Sequence, residues 1–168
     1  YNLNLKLGFR VISEFVRMGG RPSEDGDPVS RRAEASELEE VWSYIRGSPV
    51  FEKAAGLYTK FWEWYTLTPH VLRRFMEAGK CVVHRPGDAV EGVMMVEQIF
   101  ERQTQTCYID GTPEAIRDLA SWLLRWSMES DATDANVFAV NHEPIVSTLT
   151  SLGFEIHHGE MVVFEKRL

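Results

Sequence analysis

The three residues Leu-Gly-Phe occur twice in this chain, at positions 7–9 and 152–154, each time after an apolar segment. A glycine directly after a helical segment is a common helix stop, and alternating residues after each phenylalanine are typical of a strand. Repetition at about one domain's spacing predicts two copies of one architectural unit. Because only the second copy has a domain's length of chain before it, we interpret residues 1–18 as the C-terminal remnant of a preceding domain.

The segment between the two units has a different composition. Residues 19–28 combine glycine, proline and acidic residues, which cannot build a core, and we interpret them as a linker. Residues 29–168 then form the second unit, a length that suits one ordinary domain. The alternating residues 10–18 also suggest a strand that adds to the sheet of this domain or is exchanged between two chains.

Charge and cysteine usage exclude several functions. The formal net charge is −7, and because residues 1–22 carry +3, the remainder carries −10. An acidic domain gains nothing from counterion release on a polyanion, so we expect no nucleic-acid partner. No apolar run approaches the roughly 18 residues of a membrane span, so we expect no membrane partner. Cys81 and Cys107 lack metal-ligand spacing, which favours reduced thiols in a cytoplasmic protein without a metal site.

Hydrophobic periodicity and turn residues predict the order of the elements. A short strand spans 29–33, Ser36 and Glu39 form the capping box of a first helix, a second helix lies within 51–65, and a third begins at Thr68. The remaining predictions are strands at 80–85, 89–100 and 104–109, a helix at 112–128, a strand at 136–140, a helix at 143–151, and a hairpin of 154–157 and 161–165 about His158-Gly159. Together they imply an α/β domain with a mixed, mostly antiparallel sheet flanked by helices.

This element order, with Leu152-Gly153-Phe154-Glu155 before the final strands, resembles the GNAT superfamily of acyl-CoA N-acyltransferases. Leu7-Gly8-Phe9-Arg10 resembles the same ending. The resemblance implies acetyl-CoA as cofactor and direct transfer of an acetyl group to an amine on a small molecule or peptide. It further implies a tandem protein in which a preceding GNAT domain is the partner of this one, and it leaves a homodimer open.

The cofactor turn of the family lies between the fourth strand and the long helix, with the pattern Arg/Gln-x-x-Gly-x-Gly/Ala. Here one glycine is present, Pro113 removes a backbone N–H, and Asp110 and Glu114 oppose an anion. We therefore expect a turn disabled for CoA, with Thr112 as helix cap and Pro113 at the first helical position. The candidate cofactor-binding residues are Tyr108, Ile109, Asp110, Gly111, Thr112 and Arg117.

The family's acid is commonly a tyrosine three residues before Leu-Gly-Phe, where this chain has Leu149 and, in the first copy, Asn4. Neither side chain can donate as a phenol does. Bases in the family come from the third and fourth strands, which makes Glu97 the candidate base by position. The other candidates are Glu101, Asp110 and His142, whereas we interpret His157 and His158 as turn residues.

Aromatic residues are densest between positions 58 and 65. They either cover the core or line a substrate pocket or an interface with the preceding domain. The aromatic members are Tyr58, Phe61, Trp62, Trp64 and Tyr65, and Glu63 is the one polar residue among them. Taken together, the sequence predicts the non-catalytic or degenerate half of a tandem N-acetyltransferase. The alternatives are an active single-domain enzyme with an unusual cofactor turn, and a non-enzymatic ligand- or protein-binding module on a GNAT fold.

Overall fold

The computed structural model describes residue 4, residues 6–99 and residues 102–166. Its elements follow one another closely along the chain. They are β1 (Phe9–Gly20), β2 (Arg31–Arg32), a 3-10 turn (Ala35–Glu37), α1 (Leu38–Gly47), α2 (Pro49–Lys53), β3 (Leu57–Lys60), β4 (Glu63–Thr66), α3 (Pro69–Glu77), β5 (Cys81–His84), β6 (Gly92–Ile99), β7 (Gln103–Gly111), α4 (Pro113–Glu129), β8 (Asp134–Val140), α5 (Glu143–Ser151) and β9 (Glu155–Lys166).

One seven-stranded sheet organises these elements, in the order β2-β5-β6-β7-β8-β1-β9. Strands β7 and β8 are parallel, as the α4 crossover between them requires, and the other described neighbours are antiparallel. The predicted mixed, mostly antiparallel sheet flanked by helices is confirmed. Among the described residues, no helix has the length and apolar character needed to cross a membrane.

Helices cover both faces of the sheet. Helix α4 packs so closely that a Cβ on Gly92 would lie 2.6 Å from the Cβ of Ala115, and α5 lies beside α4. On the opposite face, Tyr58 of the two-stranded β3–β4 hairpin packs against Phe75 of α3, with ring centroids 5.9 Å apart. The core between these layers is continuous, so the described residues from β1 to β9 share one buried cluster.

Strand β1 lies inside this sheet. It pairs with β8 from Phe15 to Gly20 and with β9 from Phe9 to Gly19, and Met18 is fully buried. The hypothesis that residues 10–18 add a strand to the sheet agrees with this placement, within a single chain. The strand also runs two residues into the segment interpreted as a linker. The origin of residues 1–18 in a preceding domain stays a prediction.

The two glycines at the end of β1 allow two aromatic rings to approach the strand. A Cβ on Gly19 would lie 2.1 Å from the ring of His157, and one on Gly20 would lie 2.7 Å from the ring of Phe154. A larger residue at either position would displace β9 or the turn before it. His157 and His158 both lie in strand β9 and not in a turn, which corrects the sequence interpretation. The side chain of His158 lies outside what the structure describes.

Three predicted elements are wrong in detail. The helix predicted within 51–65 is instead the short α2 followed by the β3–β4 hairpin, because Ala55 and Gly56 adopt left-handed conformations that end the helix. The capping box is formed by Glu34 and Glu37, not by Ser36 and Glu39. The predicted C-terminal hairpin is one continuous strand, β9, since β1 supplies its partner along the whole length.

Candidate functional site

Strands β7 and β8 separate halfway along their length. Their parallel pairing runs from Gln103 and Asp134 to Thr106 and Val137 and then stops. At this point the β6–β7 ladder shifts register, so Cys107 is an extra residue in β7, a bulge that bends the strand away. On its other edge, β8 stays paired with β1 from Ala135 to Val140, so only the β7 side opens. The result is a V-shaped opening between two parallel strands, the kind of place where an open α/β sheet can hold a ligand.

Side chains of this chain fill the opening. Val50 and Ala54, at either end of α2, are 4% and 1% exposed there. The Ser13 hydroxyl of β1 donates a hydrogen bond to the Lys53 carbonyl at 2.9 Å, which fixes α2 against the sheet. The remaining cavity is about 10 Å³ and lies between α2, β1, β7 and β8. That volume is at the limit for one water molecule, so no elongated ligand fits without displacing α2.

The turn at the mouth of the opening is a capped helix start, as predicted. The Thr112 hydroxyl accepts a hydrogen bond from the Ala115 N–H at 3.2 Å, and Pro113 occupies the first turn of α4. Thr112 also accepts the Ile116 N–H through its carbonyl. Donors at a helix N-terminus can hold an anion, but Pro113 supplies none, and the N–H groups of Ala115 and Ile116 already bond within the chain. Arg117 points toward Glu114, 3.8 Å away on the exposed side of α4.

The buried carboxyl of Asp110 disfavours the binding of an anion at this turn. Its side chain is 2% exposed, and the Tyr108 hydroxyl donates to it at 2.9 Å. Burial raises the pKa of Asp110, and hydrogen bonds from Ser48, Tyr108 and the Gly111 N–H offset part of that increase. Burial beside this carboxyl also raises the pKa of Tyr108 well above its ordinary value. The residues of the turn therefore do not fit the pyrophosphate of an acyl-CoA.

The candidate base Glu97 lies in a cationic pocket. Its carboxylate forms ion pairs with Lys60 of the hairpin at 3.2 Å and with Lys80 at 3.1 Å. A cavity of about 190 Å³ opens beside it, against α3 and the hairpin; its lining residues are Tyr58, Lys60, Val71, Arg74, Phe75, Ala78, Lys80 and Glu97. Each oxygen of this carboxylate is therefore held by an ammonium group, which argues against Glu97 as the group that contacts an amine substrate as a base.

The other candidate residues are distributed around the molecule. His142 precedes α5 without capping it and shares a shallow depression with Asp110. Leu149, at the position of the family's tyrosine, is fully buried in the core. Cys107 and Cys81 are buried free thiols, and burial raises the pKa of Cys81 to about 12. Glu101 lies outside the described residues. No group of three metal-ligating side chains occurs within residues 4, 6–99 and 102–166.

The predicted aromatic group forms the β3–β4 hairpin, and its members have different environments. Tyr58 is buried against α3, whereas Trp62 and Tyr65 are 46% and 43% exposed. Trp64 packs on Phe15 with its indole N–H unpartnered among the described residues. The carboxylate of Glu63 accepts a short hydrogen bond from the Tyr65 hydroxyl and points to solvent. The hairpin is therefore part core cover and part exposed aromatic surface.

The turn of this hairpin has an unusual backbone. Phe61 and Trp62 have φ values of 50° and 69°, a left-handed conformation that a two-residue turn usually assigns to Asn-Gly. Despite this, Trp62 is anchored, because its ring lies 5.1 Å from that of Phe138 and 4.9 Å from the guanidinium of Arg17. Bulky residues in this conformation are strained, and such strain concentrates at functional sites.

Sequence reasoning missed a row of polar residues beneath the hairpin. Gln105 stands opposite Glu97 across β6–β7 and opposite Asn136 across β7–β8, so the three side chains share one face of the sheet. Arg17 of β1 extends the row by donating to the Asn136 side-chain oxygen at 2.7 Å. The available signal was polar residues inside strands that are otherwise apolar, at 105 in β7 and 136 in β8.

Comparison with known proteins gives likeness in structure but not in sequence. No protein-family profile and no curated protein sequence matches the chain. Among solved structures, an acetyltransferase from the GNAT family of Colwellia psychrerythraea matches with a TM-score of 0.62 and 8% identity, over 93% of this chain and 56% of that one. A GCN5-related N-acetyltransferase from Kribbella flavida matches with a TM-score of 0.58 and 15% identity, over 97% and 39%.

A smaller structure matches over most of its own length. A protein from Thermus thermophilus has a TM-score of 0.58 and 15% identity, with 83% of this chain and 95% of that chain covered. Identities this low establish the fold and leave the chemistry open. The fold of this chain is that of the GNAT acyltransferases, and the resemblance inferred from the element order is confirmed at that level.

Proposed function

We propose that this domain is the non-catalytic half of a tandem N-acetyltransferase. In the intact protein, which we place in the cytoplasm, a preceding GNAT domain binds acetyl-CoA and transfers the acetyl group to an amine on a small molecule or peptide. The present domain completes the substrate site or stabilises the assembly.

One observation carries this proposal: the opening between β7 and β8 is filled by the chain itself. The α2 segment occupies it, and the residual cavity of about 10 Å³ has no room for the narrow arm of an acyl-CoA. The Ser13–Lys53 hydrogen bond and the burial of Val50 make this filling part of the core rather than a mobile cover. Displacing α2 would cost the burial of its apolar side chains, about 1.5–3 kcal/mol for Val50 alone.

The chemistry of the surroundings supports the same proposal. The cofactor turn holds the buried carboxyl of Asp110 where a pyrophosphate would need cations. The acid position holds the aliphatic Leu149, and Glu97 is paired with two lysines. The three requirements of the reaction, an anion cradle, an acid and a free base, each lack a suitable group among these residues.

Calorimetric titration with acetyl-CoA at low salt tests the proposal. We expect no binding heat at acetyl-CoA concentrations up to about 1 mM. Any binding would then have a dissociation constant above about 1 mM, which corresponds to a binding free energy weaker than about 4 kcal/mol. Asp110→Asn is the informative second variant: it removes the carboxyl but leaves α2 in place, so it should also fail to bind. Micromolar binding by the wild type would overturn the proposal, and binding by Asp110→Asn alone would show that the turn, not the filled opening, excludes the cofactor.

A second candidate function is a ligand- or protein-binding module that performs no chemistry. The exposed aromatic side chains of the hairpin, Phe61, Trp62 and Tyr65, favour it, since each is 43–46% exposed. Neighbouring exposed aromatic side chains are typical of binding surfaces. The two candidates agree that this domain transfers no acetyl group and differ in whether the hairpin has a ligand.

A further inference from the structure

The polar row beneath the hairpin has one member that the protein leaves unsatisfied. Gln105 is 1% exposed, and neither its amide oxygen nor its amide nitrogen has a hydrogen-bond partner among the described residues. Its neighbours differ: Glu97 has two lysines, and Asn136 accepts from Arg17 and donates to the Thr104 carbonyl at 3.3 Å. A buried primary amide that lacks both partners lowers the stability of the fold. Such a group therefore needs an explanation, and a role in ligand binding supplies one.

The cavity beside Glu97 is lined by the direct cross-strand neighbour of this amide, although Gln105 itself does not line it. Residues directly opposite on an antiparallel pair have Cβ atoms about 5 Å apart on the same face, and Gln105 is the direct partner of Glu97. Glu97 and Lys60 line the cavity of about 190 Å³, which has room for about six waters, the size range of one amino acid. Glu97 in the open pocket and the covered amide of Gln105 are therefore separated by only one strand spacing.

The charges of the pocket select an anion. Lys60, Lys80 and Arg74 line it against the single carboxylate of Glu97, which leaves a positive excess in a chain of net charge −7. Each lysine ammonium has three donors, so both can bind a second carboxylate while they remain paired with Glu97. Each oxygen of Glu97 has a further lone pair, so this carboxylate can also accept a hydrogen bond from an ammonium group of the same ligand.

The hairpin decides access to the amide. Its strained turn at Phe61 and Trp62 lies over the row, with Trp62 on Arg17, and its strand β3 supplies Lys60. Relief of the backbone strain at this turn would offset part of the cost of separating Trp62 from Phe138 and Arg17. Lifting the hairpin would connect the pocket to Gln105 without disturbing the central sheet.

We propose that this row is a binding site for an amino acid with a side-chain carboxamide. A primary carboxamide can donate to and accept from Gln105 at the same time, as two amides pair reciprocally, whereas an ionised carboxylate can only accept. The ligand carboxylate binds Lys60 and Lys80, and its ammonium binds Glu97. The site requires no acetyl-CoA, so it stands independently of the function proposed above.

Titration with free glutamine and glutamate, without acetyl-CoA, tests this site. The two probes have nearly the same shape and differ in the group that meets Gln105. We expect glutamine to bind at least tenfold more tightly, because a site built for a carboxamide leaves its own donors and acceptors unpaired with the analogue. Absence of binding by both amino acids at about 10 mM, or equal affinity for the two, would overturn the proposal.

Two variants separate ligand binding from a structural role of the amide. Gln105→Met keeps the length of the side chain and removes the unpaired amide, so it should abolish the preference for glutamine while the melting temperature stays equal or rises. A lower melting temperature would mean that the amide is satisfied in the folded protein, which contradicts the proposal. Lys60→Met, on the half-exposed hairpin, should weaken both amino acids and preserve the preference; unchanged affinities would contradict the assigned carboxylate position.

Discussion

Asp118 of α4 joins three segments that are distant in the sequence. Its carboxylate accepts the backbone N–H groups of Val29 and Ser30 at 2.9 and 2.7 Å, and the Nδ1 of His84 lies 2.9 Å away. Burial by itself raises the pKa of Asp118, but the hydrogen bonds from Ser30, His84 and the two N–H groups outweigh it, so the pKa lies below its ordinary value. This residue fixes the chain where it enters the edge of the sheet.

The lowered pKa of Asp118 predicts an acid-dependent stability. A carboxyl whose pKa is depressed by folding contributes its full stability above its unfolded pKa of about 4 and loses it as the pH falls through the folded value. We expect Asp118→Asn to lower the free energy of unfolding by about 2 kcal/mol at pH 7, and to flatten its decline below pH 4. Urea unfolding from pH 7 to pH 2 measures both effects.

The exposed Glu114 on the same helix provides the control for Asp118. Glu114→Gln should change the free energy of unfolding by less than about 0.5 kcal/mol, since its side chain is 76% exposed. Equal stabilities and equal pH profiles for the wild type and Asp118→Asn would contradict the role given to this carboxylate.

At the scale of elements, the β3–β4 hairpin is where local preference and tertiary structure conflict most. Aromatic and β-branched residues suit its strands, with Tyr58 and Thr59 in β3 and Trp64 to Thr66 in β4. Its turn does not suit its residues, because Phe61 and Trp62 lie in the left-handed region. The hairpin persists since Trp62 packs on Phe138 and β3 packs on the sheet.

Phe61→Asn should relieve this conflict. Asparagine tolerates the left-handed conformation, so we expect the free energy of unfolding to rise by about 1 kcal/mol. Tyr65→Asn is the matched control: Tyr65 is equally exposed at 43% but lies in a strand, so its replacement should lower stability through lost strand preference and the lost contact with Tyr58. Urea unfolding that shows the same loss in both variants would contradict strain at the turn.

At the scale of the whole molecule, β1 makes residues 9–20 part of the domain. The strand separates β8 from β9, so β9 pairs with no other described strand. The two copies of the repeat behave alike: Gly8 and Gly153 have φ values of 82° and 84°, and each is followed by a twelve-residue strand. The two strands are partners in the sheet, so the repeat is a structural pair as well as a sequence pattern.

This placement predicts that the chain unfolds as one unit. In native-state hydrogen exchange, the amides of Phe15, Val16 and Met18 should open only with the global free energy of unfolding, because the strand is paired on both sides and buried. A truncated chain that starts at Val29 should aggregate, since it exposes the unpaired edges of β8 and β9. A soluble, monomeric truncated chain with unchanged stability would contradict this prediction.

Features that depend on near neighbours could be predicted without the structure. The cap at Thr112, the proline at the start of α4, the glycine stops at Gly8 and Gly153 and the periodicity of α4 are local hydrogen bonds and sterics, so residues within one turn decide them. The same local rules yield an element order from which the mixed sheet and its fold could be predicted. Even the poor fit of the cofactor turn followed from Asp110 and Pro113 alone.

Features that depend on partners far along the chain required the folded molecule. Residues 155–166 form one strand because β1, about 145 residues away, pairs with them, and residues 57–66 form a hairpin because α3 and the sheet cover it. The packing of distant segments also decides three features of the candidate sites. Helix α2 fills the opening, Glu97 pairs with Lys60 and Lys80, and the amide of Gln105 is left without a partner among the described residues. Periodicity records which face of an element is buried, but only the folded chain determines what that face meets.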